Sequence, residues 1–390
     1  MPSELNQSEA KTLRELATLR CESLLALTRA LVETESPSGD LTGSRAVVAL
    51  LADAAQSMPG VTNIERIAAA DYGEHLRVHF YVNDARASHT TLLLGHTDTV
   101  HPRGSLVARP WREDEGRIYG PGIFDMKANC VLALEALRLC AAAKLTPPRP
   151  VVLLLTCDEE AGSYTGRALV EEEARRAAQV LVLEPSAPSG RAKTARKGTA
   201  MYSLDITGRA AHAGLDPEKG ASAIHELARQ IARLDALADN SAGTTINIGV
   251  VSGGTRSNVV AARARAEIDV RFSTSAEAAR IDDAIKNLRS FDERTSLFVT
   301  GGINRPPLER TEGVAQLYEH ARRIAAALDY ELGETQVGGA SDGNFAAAVG
   351  AHVLDGLGIA GDGAHADHEH INATDVAPRI ALLAALIATL

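Results

Sequence analysis

Three short runs, Thr91-Leu92-Leu93-Leu94, Val151-Val152-Leu153-Leu154-Leu155 and Val180-Leu181-Val182-Leu183, are almost wholly apolar, and each ends within three residues of a histidine or an acid. A strand that is apolar at every position has no face to give to water. It must be covered on both sides, as in a parallel sheet between two layers of helices. Helical periodicity fills the intervals: leucines recur at threes and fours from about Ser8 to Val32, and further helices are expected from about Gly43 to Ala55 and from Cys130 to Ala143. With a further strand over His75 to Val82, the alternation of strand and helix predicts an α/β fold with a largely parallel sheet.

The pattern changes after Arg191. Ala200–Thr207, Thr245–Val251, Ala264–Phe272 and Ser296–Thr300 read as strands, most of them alternating, and helices are expected over Gly220–Leu237 and Ala276–Arg289. Strand–helix–strand–strand–helix–strand is the order of a split-βαβ, ferredoxin-like layer with one covered sheet face and one open face. From Pro307 the helical and parallel-strand signals return. The expected organisation is therefore a larger α/β domain in two parts, 1–194 and 305–390, interrupted by a smaller α+β domain at 195–304. A chain of 390 residues with 45% hydrophobic content can support two cores.

The formal charge of −10 and the lack of a basic stripe argue against nucleic acid and anionic membrane as partners. The N-terminal stretch MPSELNQSEAKTLREL is polar and helical, unlike a signal peptide, and no run is long and apolar enough to span a bilayer. Cys21, Cys130, Cys140 and Cys157 show no C-x-x-C spacing and sit in apolar or helical contexts. They read as buried reduced thiols, which fits the cytoplasm.

The chemistry-bearing residues cluster where the buried strands end, and at such edges of a parallel sheet ligands bind. His96 and Asp98 follow the first run, Asp158-Glu159-Glu160 the second and Glu184 the third. Asp125 closes the tight loop Gly120-Pro121-Gly122-Ile123-Phe124, and His365 lies in the stretch Gly363-Ala364-His365-Ala366-Asp367-His368-Glu369. Taken singly, Asp125 reads equally as a helix N-cap and His365 as a loop histidine. Adjacent carboxylates at the end of a buried strand, however, lose hydration and repel one another unless cations offset them. Imidazole nitrogens and carboxylate oxygens without thiolate suit zinc, and the set is large enough for a pair of metals.

In this order, GHTDTVHP, GPGIFDMK, CDEEAGS, LEPS and GAHADHE resemble the signature blocks of the zinc-dependent family that contains glutamate carboxypeptidase, aminoacylase, acetylornithine deacetylase and succinyl-diaminopimelate desuccinylase. The resemblance covers nearly the whole chain and is closest to the glutamate carboxypeptidase-like branch. It implies two Zn2+ per chain, with cobalt or manganese as alternatives. His96 and Glu184 would bind one ion, Glu160 and His365 the other, and Asp125 would bridge them. Asp98 would orient His96, and Glu159 would act as general base. In the inserted domain, His212 matches a histidine that stabilises the oxyanion and can reach a neighbouring subunit's site. Asn258, Arg271, Arg305, Gly339 and Ser341 match positions around the substrate carboxylate. Phe124 and Ala128-Asn129 depart from the small residues that the family places around the bridging aspartate.

The implied activity is hydrolysis of an amide bond beside a free carboxylate, on a small peptide or an N-acyl amino acid, by a homodimer joined through the inserted domain. An N-carbamoyl-amino-acid amidohydrolase, an aminopeptidase and a metal-binding relative without catalysis stay open as alternatives. Glu159 weighs against the last, since loss of the base is the direct route to an inactive relative.

Overall fold

A computed structural model describes residues 4–82 and 88–390 of the chain; Met1–Ser3, the first residues of the polar N-terminal stretch, and residues 83–87 lie outside the described residues. The chain forms two compact units, one of Met1–Thr194, Arg310–Val337 and Ser341–Leu390, the other of Ala195–Glu309 and Gly338–Ala340.

The first unit is built on a six-stranded sheet in the order Val61–Ala69, Gly73–Phe80, Val151–Thr156, Thr90–His96, Ala177–Val182, Val353–Leu354. The four strands from Val151–Thr156 to Val353–Leu354 are parallel, and the first two strands add antiparallel to one side. Alternation along the parallel strands explains why their runs are apolar throughout. Leu93, Leu153, Leu155 and Leu181 enter the main core, together with the helices Gln7–Glu33, Ala128–Ala142 and Ala373–Thr389. Leu92, Leu94, Val152, Leu154, Val180 and Val182 point the opposite way and are just as buried. The helices Arg167–Arg176 and Gly343–Ala348 pack against each other and against the Ala177–Val182 strand. The C-terminal ALLAALIATL is a buried helix, as its composition predicts. Among the described residues no helix is long and apolar enough to cross a membrane.

Local signals start the helices. Asn6 and Glu9 form a reciprocal capping box at the first helix, and the Asp40 carboxylate accepts from the amides of Thr42 and Gly43 at the second. The Val61–Ala69 strand was not foreseen, because its burial does not alternate: VTNIERIAA is partly wet along most of its length, as befits the outer strand of the sheet.

The second unit has the expected strand–helix–strand–strand–helix–strand order. Its antiparallel sheet runs Thr245–Gly253, Arg263–Phe272, Gly198–Thr207, Ser296–Arg305, with the helices Ala223–Asp235 and Ser275–Lys286 packed against it. Ala200, Tyr202, Leu204 and Ile206 enter its core, while their neighbour Met201 is 66% exposed. Gly301, at φ +99°, lies so close to the Gly198–Thr207 strand that a Cβ would sit 2.1 Å from the Met201 carbonyl oxygen. The last strand extends to Arg305 instead of stopping near Thr300. Arg305, expected from sequence to lie beyond the last strand, is therefore a strand residue, paired with Thr199 and buried.

All four cysteines are free thiols. Burial pushes Cys130, Cys140 and Cys157 up to about 12, so they stay protonated at pH 8. In the native protein at pH 8, Ellman's reagent should modify Cys21 alone, and the other three only after denaturation. Rapid reaction of all four thiols in the folded state would contradict this core.

Candidate metal centre

Three neighbouring parallel strands place three of the expected ligands on one sheet edge. The Thr90–His96 strand lies between Val151–Thr156 and Ala177–Val182, so His96, the Asp158-Glu159-Glu160 turn and Glu184 all emerge at the carboxyl ends. The turn is held by its own backbone: the Ser163 amide donates to the Asp158 carbonyl at 2.8 Å and the Gly162 amide to the Glu159 carbonyl at 2.9 Å.

The other two ligands come from distant loops. Asp125 was read as the start of a helix. It instead has a non-helical backbone, φ −117° and ψ 91°, within the turn Ile123–Lys127 that precedes the Ala128–Ala142 helix. That turn is pinned two residues later by buried Lys127, whose Nζ donates to the carbonyls of Leu31 at 2.9 Å and Thr34 at 2.8 Å. His365 adopts a left-handed backbone, φ +64°, in the turn that joins the strands Gly361–Asp362 and His370–Asn372.

These five side chains converge. His96 Nε2 lies 3.0 Å from Asp125 Oδ1 and 3.4 Å from Glu184 Oε1. His365 Nε2 lies 3.6 Å from Asp125 Oδ2 and 3.2 Å from Glu160 Oε1. The two oxygens of Asp125 thus face different imidazoles, each of which has its own glutamate. Ligand atoms of His96, Asp125 and Glu160 fall within 4.8 Å of one another.

The electrostatics are those of charges held against burial. Desolvation opposes the charged imidazole of His96, yet hydrogen bonds to Asp125, Asp98 and Glu184 raise it well above its ordinary value. Hydrogen bonds to Asp125 and Glu160 carry His365 to about 10. Burial likewise opposes the Asp125 carboxylate, but His365 and His96 outweigh it and hold the group far below the usual range. Burial pushes Glu160 upward. Such a set of imidazole and carboxylate donors fits zinc, and equally cobalt or manganese. Thiolate plays no part: the Cys130 thiol donates to the His96 carbonyl at 3.0 Å.

Asp98 joins the two ends of this edge. His96 Nδ1 lies 3.0 Å from the Asp98 carbonyl oxygen and 3.4 Å from its carboxylate. The carboxylate accepts from the amides of Glu159 at 3.2 Å and Glu160 at 3.1 Å, and from the Ser38 hydroxyl at 2.6 Å. One buried aspartate therefore orients the imidazole and holds the acidic turn.

The remaining predicted residues are distributed as follows. Exposed His212 lies beside the Asn258 segment in the second unit: the Ala213 amide donates to the Asn258 carbonyl at 3.0 Å, and His212 Nδ1 accepts from the amides of Gly214 and Leu215. Arg271 forms a two-point ion pair with Asp269, at 2.8 and 2.9 Å. A Cβ at Gly339 would meet open space, and the Gly339 carbonyl accepts from Arg196 Nη1 at 3.2 Å. Ser341 is fully buried, its hydroxyl donates to Asp355 at 2.8 Å and its amide to Asn344 at 2.9 Å. Sequence reasoning assigned no role to Glu369, His101 or Lys127, although all three lie inside the quoted motif blocks.

The family model described as Peptidase family M20/M25/M40 matches residues 92–389. Carboxypeptidase G2 of Pseudomonas sp. (strain RS-16) is 29% identical over 393 residues, covering 98% of this chain and 93% of its own. Succinyl-diaminopimelate desuccinylase of Acidovorax ebreus (strain TPSY) is 29% identical over 313 residues, covering 75% and 78% respectively. Among solved structures, aminopeptidase PepT of Bacillus cereus ATCC 10987 shares the fold, with a TM-score of 0.79 at 24% identity, over 95% of this chain and 98% of its own.

Replacing Asp98 with Ala removes the acceptor for two turn amides and one side of the His96 clamp. Metal affinity should fall by about 10–100-fold, read as zinc retained against a graded chelator. Retention equal to wild type would mean that Asp98 does not position the ligands.

Proposed function

The chain belongs to peptidase family M20/M25/M40 and is a metal-dependent hydrolase, and on that premise we propose that it binds two zinc ions and cleaves an amide bond adjacent to a free carboxylate. It acts as a glutamate carboxypeptidase-like carboxypeptidase on peptidyl or N-acyl amino acids. The observation that carries this reading is the double-faced Asp125, with one oxygen toward His96 and Glu184 and the other toward His365 and Glu160. One cation would be held by His96, Asp125 and Glu184, the other by Asp125, Glu160 and His365. The full-length likeness to carboxypeptidase G2 supports the carboxypeptidase branch.

When bound there, a divalent pair lowers the pKa of water toward neutrality and polarises the scissile carbonyl. The chain's own residues do the rest. Glu159, half-buried and tied through its amide to Asp98, takes a proton from the attacking water as the oxygen adds to the carbonyl carbon. His212 donates to the oxyanion of the tetrahedral intermediate. Glu159 then returns its proton to the amine nitrogen as the C–N bond breaks. Arg305 and Arg271 supply guanidinium groups suited to a carboxylate, with Asn258 and the backbone at Gly339 as neutral partners.

We assign the roles of His212 and of the substrate-side residues from the family resemblance. Residues 195–304 serve as the dimerisation domain of a cytoplasmic homodimer, with 1–194 and 305–390 forming the catalytic domain. A second reading, N-acyl- or N-carbamoyl-amino-acid amidohydrolase, draws support from the succinyl-diaminopimelate desuccinylase relative. Rates on peptidyl-glutamate against N-succinyl, N-acetyl and N-carbamoyl amino acids separate the two.

Elemental analysis of wild-type protein should give two metal ions per chain. Glu159→Ala should keep both while turnover drops by about 100-fold or more. Wild-type turnover in that variant would remove Glu159 from the base position. Sedimentation velocity should show a dimer, and a monomer at every concentration would refute the role given to residues 195–304.

A further inference from the structure

Glu369 lies four residues beyond His365, is only 3% exposed, and has a hydrogen-bond donor at every available position. Its Oε1 accepts from the amides of Phe124 and Asp125, both at 2.9 Å. Its Oε2 accepts from the Gly122 amide at 2.8 Å and from His101 Nε2. An ionised carboxylate has about four acceptor sites, and all are used. Glu369 therefore has no lone pair left for a cation.

The direction of these bonds is fixed from the outside. Arg109 Nη1 lies 3.2 Å from His101 Nδ1, and a guanidinium can only donate. His101 Nδ1 must then accept, so Nε2 carries the proton that points at Glu369. Arg109 also pairs with Asp367, at 3.0 Å, on the same turn as His365 and Glu369. The chain Arg109–His101–Glu369 thus ends on the backbone of Asp125.

We infer that Glu369 is a positioning residue that locks the Asp125 loop to the His365 turn and so sets the geometry of the second half of the centre, Asp125–Glu160–His365. His96 and Glu184 follow strands of the central sheet and need no such tether. His365 has no comparable anchor: its side chain is 54% exposed and its backbone is left-handed. The inference rests on the two-metal reading and extends it to the residue that makes the two loops act together.

The test uses zinc-loaded, full-length protein challenged with increasing chelator, with the release of each ion followed separately, and melting curves to confirm folding. Wild type should hold two ions. Glu369→Gln turns an amide NH2 toward backbone N–H donors. It should release one ion at about tenfold lower chelator and keep the other near its wild-type affinity. Cobalt-loaded variant should show altered visible bands from one of the two sites. Should Glu369→Gln fail to fold, Arg109→Gln leaves the three amide bonds to Glu369 in place, frees the His101 tautomer and removes the ion pair to Asp367, and it should loosen the same single ion to a smaller degree. Two ions held as tightly as in wild type, or both loosened equally, in whichever of the two variants folds would overturn the inference and leave the proposed function standing. A wild-type protein that holds one ion would overturn both.

Discussion

The structure is organised by the need to gather acids and imidazoles where burial strips most of them of water. Asp125, Glu160, Glu184, His96 and His365 meet at the mouth of a sheet whose central parallel strands are apolar on both faces. Left to themselves, several carboxylates in such a place would repel one another and lose hydration, at a cost of several kcal/mol per uncompensated charge. Only positive charge resolves this. The opposing shifts of the cluster, imidazoles driven up and Asp125 driven down, express that demand in the language of protons. The proposed pair of divalent cations would meet it with fewer charges to order and would leave the imidazoles neutral, the form in which they coordinate metals.

Converging five groups from five regions of the chain needs scaffolding of two kinds. Strand ends give position without further help: parallel neighbours in register bring His96 opposite Thr156, and Glu184 follows on the next strand. Loops have no such register and must be tied down. Asp98 does this for the acidic turn by capturing two successive amides, and Lys127 does it for the Asp125 loop by gripping the end of the first helix. Each of these ties uses a buried charge hydrogen-bonded to backbone, which is stronger and more directional than a bond between neutral groups. The charges that frame the centre are thus satisfied by backbone, while the centre's own charges face one another.

How much of this was readable from sequence depended on whether a residue's role is written in local pattern. The buried strands and the His or acid that follows each were legible, since a run apolar at every position has few alternatives. The inserted layer was legible from its alternation and its helix–strand order. The place of Asp125 in the cluster was legible through the motif, but its backbone was not. Gly-rich spacing ahead of an apolar helix reads as a cap, and only tertiary bonds to Lys127 and the surrounding amides hold a non-helical turn there. The inward setting of Ser341 was not legible, because a serine in a glycine-rich loop carries no sign of facing Asp355. The long-range ties have no local signature at all: Asp98 to Ser38 and His101 to Glu369 join residues 60 and 268 positions apart.

The adjacency of Glu159 and Glu160 follows from the same constraint. A carboxylate that gives its lone pairs to a cation loses proton affinity, so it cannot also be the group that takes a proton from water. Two functions then require two carboxylates, both close to the reacting carbonyl. Consecutive positions in one tight turn provide this at the least expense in backbone, because a single acceptor, Asp98, can hold both amides. In the proposed chemistry the buried Glu160 side chain, 8% exposed and facing His365, is committed to metal charge. Its half-buried neighbour Glu159 is left as the proposed base.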